Sequence, residues 1–195
     1  MVRALPPIAH DVGSSDDLLA RARGIAPLLA READRTERER RVSAEIVAAL
    51  AEAGIFRMCV PRALGGAEAD PATMIAVLET LARADGSAGW SAMIAATSGV
   101  ASAYLAPGAA REIYGAADGV AGGVYAPYGR ATAVEGGYRL SGRWPFASGC
   151  EHCTWLTGGT MVEGAGGKPE ARLMLFPRSE VEIIDTWNVS GLRGT

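Results

Sequence analysis

The order of the sequence patterns constrains the fold more than any other feature of this chain. Helical patterns occupy the first 117 residues, and short strand-like patterns between glycines follow from about residue 118. Helices and strands do not alternate, which argues against β–α–β units and a Rossmann sheet. No G-x-G-x-x-G lies between a strand and a helix. We therefore predict an α+β protein with an N-terminal all-helical domain (residues 1–117) and an incomplete middle domain (residues 118–195), a partial antiparallel β-barrel or sandwich.

Capping residues mark the helices of the first half. Residues 14–17 offer N-caps for a first helix, and the sign-alternating run 31–41 is typical of a solvated helix with ion pairs along it. Ser43 can cap a second helix, with Gly54 just after its C-cap. Residues 88–105 are small and apolar nearly all round, which predicts a buried helix. Three further helix starts are indicated by Asp70-Pro71, Asp85-Gly86-Ser87 and Pro107.

The second half contains short strand patterns separated by turn signals. A β-hairpin is indicated by the turn sequence Glu135-Gly136-Gly137, which lies between residues 131–134 and residues 138–141. Further candidate strands are 153–158, 171–177 and 181–185, with a loop at 164–167. These patterns together predict the antiparallel sheet of the middle domain.

Composition and charge exclude several classes of function. With 49% apolar and 21% charged residues the chain has the balance of a soluble globular protein, and its net charge of −3 gives no footprint for nucleic acid or an anionic membrane. The sequence has no run of 18 apolar residues, and its first 17 residues lack the apolar core of a signal peptide. Three cysteines argue against a disulfide framework. We therefore expect a cytoplasmic protein that binds neither nucleic acid nor a membrane.

The segment Cys150-Glu151-His152-Cys153 has the composition of a metal site but not its spacing. It places three soft ligands within four residues, and no second cluster completes a set of four. On a strand, His152 and Cys153 would point to opposite faces. The other histidine, His10, is distant in the sequence. We predict no metal site and interpret the segment as strand residues at the rim of a site.

The most unusual stretch runs from Gly142 to Gly149 and reads Gly-Arg-Trp-Pro-Phe-Ala-Ser-Gly. One interpretation is a strand whose aromatic side chains fill the core. The other is a platform for a flat cofactor, because Trp144 and Phe146 offer π faces to an isoalloxazine ring. In that case Ser148 offers a hydroxyl to a ring nitrogen or carbonyl, and Gly149 lets the backbone approach closely. The residues alone leave both interpretations open.

A family resemblance covers nearly the whole chain from about residue 15 onward. It is carried by Val60-Pro61 with Gly65-Gly66, by residues 84–90 (Ala-Asp-Gly-Ser-Ala-Gly-Trp), by residues 136–150, and by residues 185–195, which end in Gly-Leu-Arg-Gly-Thr. With these stretches the chain resembles the acyl-CoA dehydrogenase superfamily. Within it, the chain most resembles the flavin-dependent aromatic hydroxylases, the oxygenase components of two-component monooxygenases.

The resemblance implies roles for individual residues. The corresponding stretch of the dehydrogenases reads G-x-x-x-W-I-T, and counting from Gly142 puts Phe146 at the Trp position and Ser148 at the Thr position, whose hydroxyl meets the flavin N5. It implies that Ser148 is the catalytic hydroxyl and that Trp144, Phe146 and Gly149 bind the flavin, FAD or FMN. Tyr125, at the end of the strand pattern 122–126, is expected near the ring. Trp90 is expected either in the substrate pocket or in the core.

The resemblance also implies a function. The implied activity is that of a monooxygenase, which hydroxylates an aromatic or polyketide-like small molecule with O2 and reduced flavin. A flavin reductase would supply the reduced flavin. The alternatives are an acyl-CoA dehydrogenase and a catalytically inactive remnant. Family members continue beyond Gly191-Leu192-Arg193-Gly194-Thr195 into a four-helix bundle, and their full-length form is implied to be a homotetramer. On this comparison we expect the chain to be a fragment whose C-terminal bundle is missing.

Overall fold

The computed structural model describes residues 15–163 and 168–195, and within them five α-helices come before a four-stranded sheet. The helices are α1 (Ser15–Glu39), α2 (Ala44–Glu52), α3 (Pro71–Ala84), α4 (Gly86–Ser98) and α5 (Pro107–Tyr114). The strands are β1 (Ala121–Val134), β2 (Gly137–Ser141), β3 (Trp155–Glu163) and β4 (Pro169–Pro177). The predicted α+β class is therefore confirmed, and the proposed domain division at residue 117 falls between α5 and β1.

Some of the expectations lie outside the described residues. These are the cap at Ser14, the position of His10 and the loop at residues 164–167. Within the described part of the chain, no helix combines the length and the apolar character needed to cross a membrane.

The predicted caps form as their sequences indicate. The hydroxyl of Ser43 accepts a hydrogen bond from the Ile46 amide at 3.3 Å, which starts α2. The Asp70 carboxylate accepts from two amides at the start of α3, and Asp85 accepts from the Ser87 amide at 2.9 Å at the start of α4. Gly54 follows α2 with φ of 74°, the left-handed conformation that glycine adopts without strain. Local chemistry therefore sets these helix boundaries.

The charged run is helical only as far as Glu39. Ion pairs lie along it, including Arg35 to Glu39 at 2.8 Å, as predicted for a solvated helix. Arg40 then adopts a left-handed φ of 56° and ends α1. Arg40 and Arg41 consequently leave the helix surface and reach the second half of the chain.

The segment predicted as a buried helix divides into two elements. Helix α4 ends at Ser98, and a 3₁₀-helix (Gly99–Tyr104) continues it. Helices α3 and α4 cross closely, because a Cβ on Gly89 would come within 2.7 Å of Ala82. The burial predicted for residues 88–105 holds for most of α4 but not for the 3₁₀-helix, where 47% of Val100 and 86% of Tyr104 are exposed. The neighbouring Trp90 is also 42% exposed.

The sheet is mixed, with the strand order β2-β1-β3-β4. The predicted hairpin joins β1 to β2, and β3 pairs with β4, both in antiparallel fashion. Strands β1 and β3 run parallel, because the chain crosses back over residues 142–154 before β3 begins. The expectation of a fully antiparallel sheet is therefore wrong for this pair. The candidate strand at 181–185 is wrong. In the described residues it pairs with no strand, and side-chain contacts hold it instead.

Two hydrophobic clusters cover opposite faces of one end of the sheet. Successive residues of a strand point to opposite faces, so Leu156 joins the main cluster with the helices while Trp155 packs against the second. The main cluster includes Leu18, Leu50, Leu81 and Cys153, and the second includes Val60, Leu64, Ile113, Tyr114 and Ala121. The helices therefore fix this end of the sheet, next to the crossing segment.

A buried arginine joins the helical connections to the end of α5. The guanidinium of Arg57 donates to the backbone oxygens of Leu64 at 2.6 Å, Tyr114 at 2.6 Å and Ala116 at 2.7 Å. Only 4% of Arg57 is exposed, and burial lowers its pKa from the usual value, against the opposing field of Asp118. Carbonyls at the end of a helix lack intrahelical donors, so this arginine satisfies groups that would otherwise be unpaired.

Candidate functional site

A cleft of about 1380 Å³ lies beside the sheet. One wall is the segment of residues 142–149, called here the aromatic segment, and another is the segment of residues 181–189, called the strap. The start of β1 and the end of β4 also line it, together with Arg40 and Arg41. The lining combines apolar side chains with several charged and polar ones, and a concave site of this kind is suited to a cofactor or other small molecule.

Trp144 is seated in a trough made by glycines of three different segments. A Cβ on Gly129, Gly142 or Gly158 would come within 2.4, 2.8 or 2.7 Å of the indole ring. The indole Nε1 donates to the Gly159 oxygen at 2.8 Å, and the ring centroid lies 5.4 Å from that of Phe176. Trp144 therefore fixes the aromatic segment to the sheet, which agrees with the interpretation of an aromatic that fills a packed space.

Phe146 is held in an unusual conformation at the surface of the cleft. Its φ is 63°, which is costly for a residue with a side chain, and 75% of it is exposed. Its ring meets Trp187 of the strap edge to face, with centroids 5.9 Å apart and planes at 88°. An exposed aromatic ring in a strained backbone is a feature of binding sites rather than of cores.

Ser148 is presented to the cleft by a tight turn. Its amide donates to the Phe146 oxygen at 3.0 Å, and the Cys150 amide donates to the Ala147 oxygen at 3.1 Å. Gly149 follows with φ of 71° and packs against Ser91 of α4. A Cβ built on Gly149 would lie 3.8 Å from the Cβ of Ser91. The hydroxyl of Ser148 makes no hydrogen bond to any residue that the structure describes, so it is available to a ligand in the cleft.

Four of the six predicted site residues line one cleft: Trp144, Phe146, Ser148 and Gly149. Tyr125 and Trp90 do not line it. Tyr125 begins an irregularity in β1, where the register with β3 shifts between Val124 and Gly129, and 62% of it is exposed. Val124 lines the cleft in place of Tyr125.

Three residues of the cleft were missed by the sequence analysis: Arg40, Asp185 and Trp187. The Arg40 guanidinium donates to both carboxylate oxygens of Asp185 and to the Trp187 carbonyl. This ion pair lowers the pKa of Asp185 through a hydrogen bond and the positive charge. The two residues are 145 positions apart, so no local pattern could have paired them.

The Cys-Glu-His-Cys segment is a 3₁₀-helix (Cys150–His152) rather than a strand, which corrects the expectation. The turn is set by Gly149, whose left-handed conformation starts it. Within residues 15–163 and 168–195, no three histidine, cysteine or acidic side chains are grouped so that they could hold a metal ion. Burial lowers the pKa of His152, and it raises the pKa of Cys153 to about 12.

We expect Cys153 to resist alkylation in the folded protein. A thiol pKa of about 12 leaves about one thiol in ten thousand ionised at pH 8, and only the thiolate reacts. Peptide mapping after iodoacetamide treatment at pH 8 should find Cys153 unmodified, and the same treatment in urea should label it. Equal labelling rates in the folded and unfolded protein would contradict the buried position.

Sequence comparison with characterised proteins gives a consistent set of relatives. Residues 20–112 match the family described as acyl-CoA dehydrogenase, N-terminal domain. The oxygenase component of an FADH(2)-dependent resorcinol hydroxylase from Rhizobium sp. (strain MTP-10005) is 38% identical over 180 residues, 91% of this chain and 44% of that protein. The oxygenase subunit HsaA of a flavin-dependent monooxygenase from Rhodococcus jostii is 35% identical over 178 residues, 91% of this chain and 47% of that protein.

Solved structures agree with these relatives. The HsaA monooxygenase from M. tuberculosis superposes with a TM-score of 0.88 at 35% identity, covering 94% of this chain and 48% of that one. XiaF from Streptomyces sp., solved in complex with FADH2 and glycerol, gives a TM-score of 0.86 at 30% identity, covering 93% of this chain and 46% of that one. The chain spans about half the length of the relatives it matches.

Proposed function

We propose, from the premise that this chain belongs to the acyl-CoA dehydrogenase superfamily, that it binds reduced flavin in the cleft and serves a flavin-dependent monooxygenase. The substrate would be an aromatic or polyketide-like small molecule. Relatives named for resorcinol and for indole-3-acetate support the aromatic class. The names of relatives as oxygenase components support a separate flavin reductase as partner. We also propose a cytoplasmic location and, as the family resemblance implies, a homotetramer for the full-length form.

The observation that carries the proposal is the Ser148 hydroxyl, which has no hydrogen-bond partner among the described residues and lies beside the exposed ring of Phe146. An isoalloxazine ring needs flat apolar contacts on its faces and hydrogen-bond partners at its polar edge. Phe146 and Trp187 offer the apolar contacts, and the turn at Gly149 holds the Ser148 hydroxyl at the same cleft.

The residues that line the cleft would have different roles in flavin binding. Bound reduced flavin would supply the electrons for oxygen activation. Ser148 would hydrogen-bond the ring near N5, and Phe146 would pack against it and exclude water. Trp144 would hold the aromatic segment in place from behind, because its ring is already packed in the glycine trough. Gly149 would allow the close approach of the backbone. Tyr125 and Trp90 receive no role, because both lie outside the lining of the cleft.

Ser148→Ala is expected to weaken binding of reduced FAD about tenfold, because it removes one hydrogen bond to the ring. A hydrogen bond that contributes about 1.4 kcal/mol corresponds to a tenfold change in affinity. Ser148→Thr is the matched control, since it keeps the hydroxyl and should bind within about twofold of the original chain. Anaerobic titration followed by quenching of the protein's tryptophan fluorescence measures both, for reduced FAD and for reduced FMN. Equal affinities of the Ala and Thr variants would remove Ser148 from the proposed site.

The function itself is tested by supplying reduced FAD and ¹⁸O2 to the chain with resorcinol as a probe phenol. A monooxygenase should give a hydroxylated product that carries one labelled oxygen, detected by mass spectrometry. A chain that binds reduced flavin tightly but forms no labelled product would contradict monooxygenase activity of this chain and support the alternative of a catalytically inactive remnant. An acyl-CoA dehydrogenase would instead bleach its bound oxidised flavin when octanoyl-CoA is added anaerobically, and we expect no bleaching.

A further inference from the structure

We propose that Arg40 is a positioning residue of the cleft, which holds the strap so that Trp187 closes against Phe146 and retains the flavin. The inference rests on the proposed function, because it assumes that the cleft binds flavin. It assigns a role to a residue at the end of the charged helix, far in sequence from the aromatic segment.

The contacts of the Arg40 side chain direct it toward the strap. Its left-handed backbone ends α1 and sends the side chain away from the helix toward the strap. One guanidinium nitrogen donates to the Asp185 carboxylate at 2.8 Å and to the Trp187 carbonyl at 2.7 Å, and the other donates to the second oxygen of Asp185. The planar guanidinium of Arg40 binds two carboxylate oxygens and one carbonyl at once, so it fixes the orientation of the strap. The single ammonium group of a lysine would not fix it in this way.

The contacts continue from the strap to the aromatic segment. The Trp187 indole Nε1 donates to the Leu192 oxygen at 2.9 Å, which fixes the tilt of the ring. The same ring meets Phe146 edge to face, and the Phe146 oxygen accepts from the Ser148 amide. A path of direct contacts therefore runs from Arg40 through Trp187 and Phe146 to the turn that presents Ser148.

The centre of the strap has few other attachments. At its start, Arg178 donates to the Val181 oxygen at 3.2 Å, and beyond its end the Gly194 amide donates to the Ser87 hydroxyl. Between these points, in the part of the chain that the structure describes, Arg40 holds residues 185 and 187 of the strap. The other ion pair from α1 lies beyond the strap, between Glu37 and Arg193 at 4.0 Å. Loss of Arg40 should therefore loosen the middle of the strap while its two ends stay attached.

The test compares flavin release from Arg40→Met, Arg40→Lys and the unchanged chain. Stopped-flow fluorescence should show release of bound FAD on the order of tenfold faster from Arg40→Met, because changes at one interface act mainly on the dissociation rate. Arg40→Lys should fall between the two, since lysine keeps the charge but not the fork. The visible circular dichroism of the bound flavin should weaken in the same order, a signal that a purely structural change elsewhere would not move.

Arg83→Met is the matched control. It removes an exposed arginine that pairs with Glu79 at 2.7 Å on α3, away from the cleft, so release should be unchanged. If Arg40→Met fails to fold, Asp185→Asn breaks the same pair from the strap and should speed release similarly. Unchanged release in the Arg40 and Asp185 variants would overturn the positioning role and leave the flavin site intact. Failure of the unchanged chain to bind flavin would instead overturn the proposed function, and with it this inference.

Discussion

Arg57→Met is expected to destabilise the protein by about 3–4 kcal/mol. The substitution removes the donors for three backbone oxygens, those of Leu64, Tyr114 and Ala116, while methionine keeps much of the side-chain volume. Hydrogen bonds from a charged donor contribute about 1.5–3 kcal/mol each, and part of that is returned because no buried guanidinium remains to be desolvated. The net effect is therefore smaller than the sum of three bonds.

Urea denaturation followed by circular dichroism measures this loss. Arg62→Met is a suitable control, because Arg62 lies five residues further along and is exposed. Its substitution should change the free energy of unfolding by less than about 0.5 kcal/mol. Arg57→Lys should be intermediate, since an ammonium cannot reach three separate carbonyls in the geometry of the guanidinium. A loss below about 1 kcal/mol for Arg57→Met would mean that the carbonyls find other donors.

Gly158→Val is expected to weaken flavin binding at least about tenfold, through displacement of a neighbouring ring rather than loss of a contact with the ligand. A Cβ at Gly158 would lie 2.7 to 2.9 Å from three atoms of the Trp144 indole, and the ring cannot move without leaving its bond to Gly159. Because Trp144 fixes the aromatic segment to the sheet, the turn that presents Ser148 should shift with it. Overpacking of this kind also costs about 1–3 kcal/mol of stability.

Gly108→Ala is the control for Gly158→Val. Gly108 lies in α5 outside the lining of the cleft, and an added Cβ meets nothing within 4 Å, so flavin affinity should not change appreciably. Flavin titration and urea denaturation of both variants separate a local displacement of Trp144 from a general effect of replacing a glycine. Unchanged flavin affinity in a folded Gly158→Val variant would show that the position of Trp144 does not matter to the site.

Local features of the fold could be predicted from the sequence because their causes are local. The cap at Ser43, the start of α3 at Asp70 and the hairpin at residues 135–137 each depend on a few neighbouring residues. The aromatic segment was identified in the same way, since its residues are contiguous. The prediction of a strand at 181–185 was wrong because a strand also needs a neighbouring strand to pair with. The local sequence could not show that none of the described residues provides one.

Features that depend on distant parts of the chain could not be predicted. The parallel pairing of β1 with β3 arises from the crossing segment, and the pair of Arg40 with Asp185 joins residues 145 positions apart. The glycine trough is similar, because Gly129 and Gly158 look like ordinary turn or strand glycines until Trp144 is placed over them. Tyr125 was expected near the ring from its place in the strand pattern 122–126, and the sequence could not show that the strand register shifts just after Val124.

The most direct test of the flavin site is a crystal structure of this chain grown anaerobically with reduced FAD. We expect the isoalloxazine ring between the aromatic segment and the strap, with the Ser148 hydroxyl oxygen within about 3.2 Å of N5. Trp144 should remain in its glycine trough, and Phe146 should contact the ring. A flavin bound outside this cleft, or a Ser148 side chain turned away from a ring bound within it, would contradict the account.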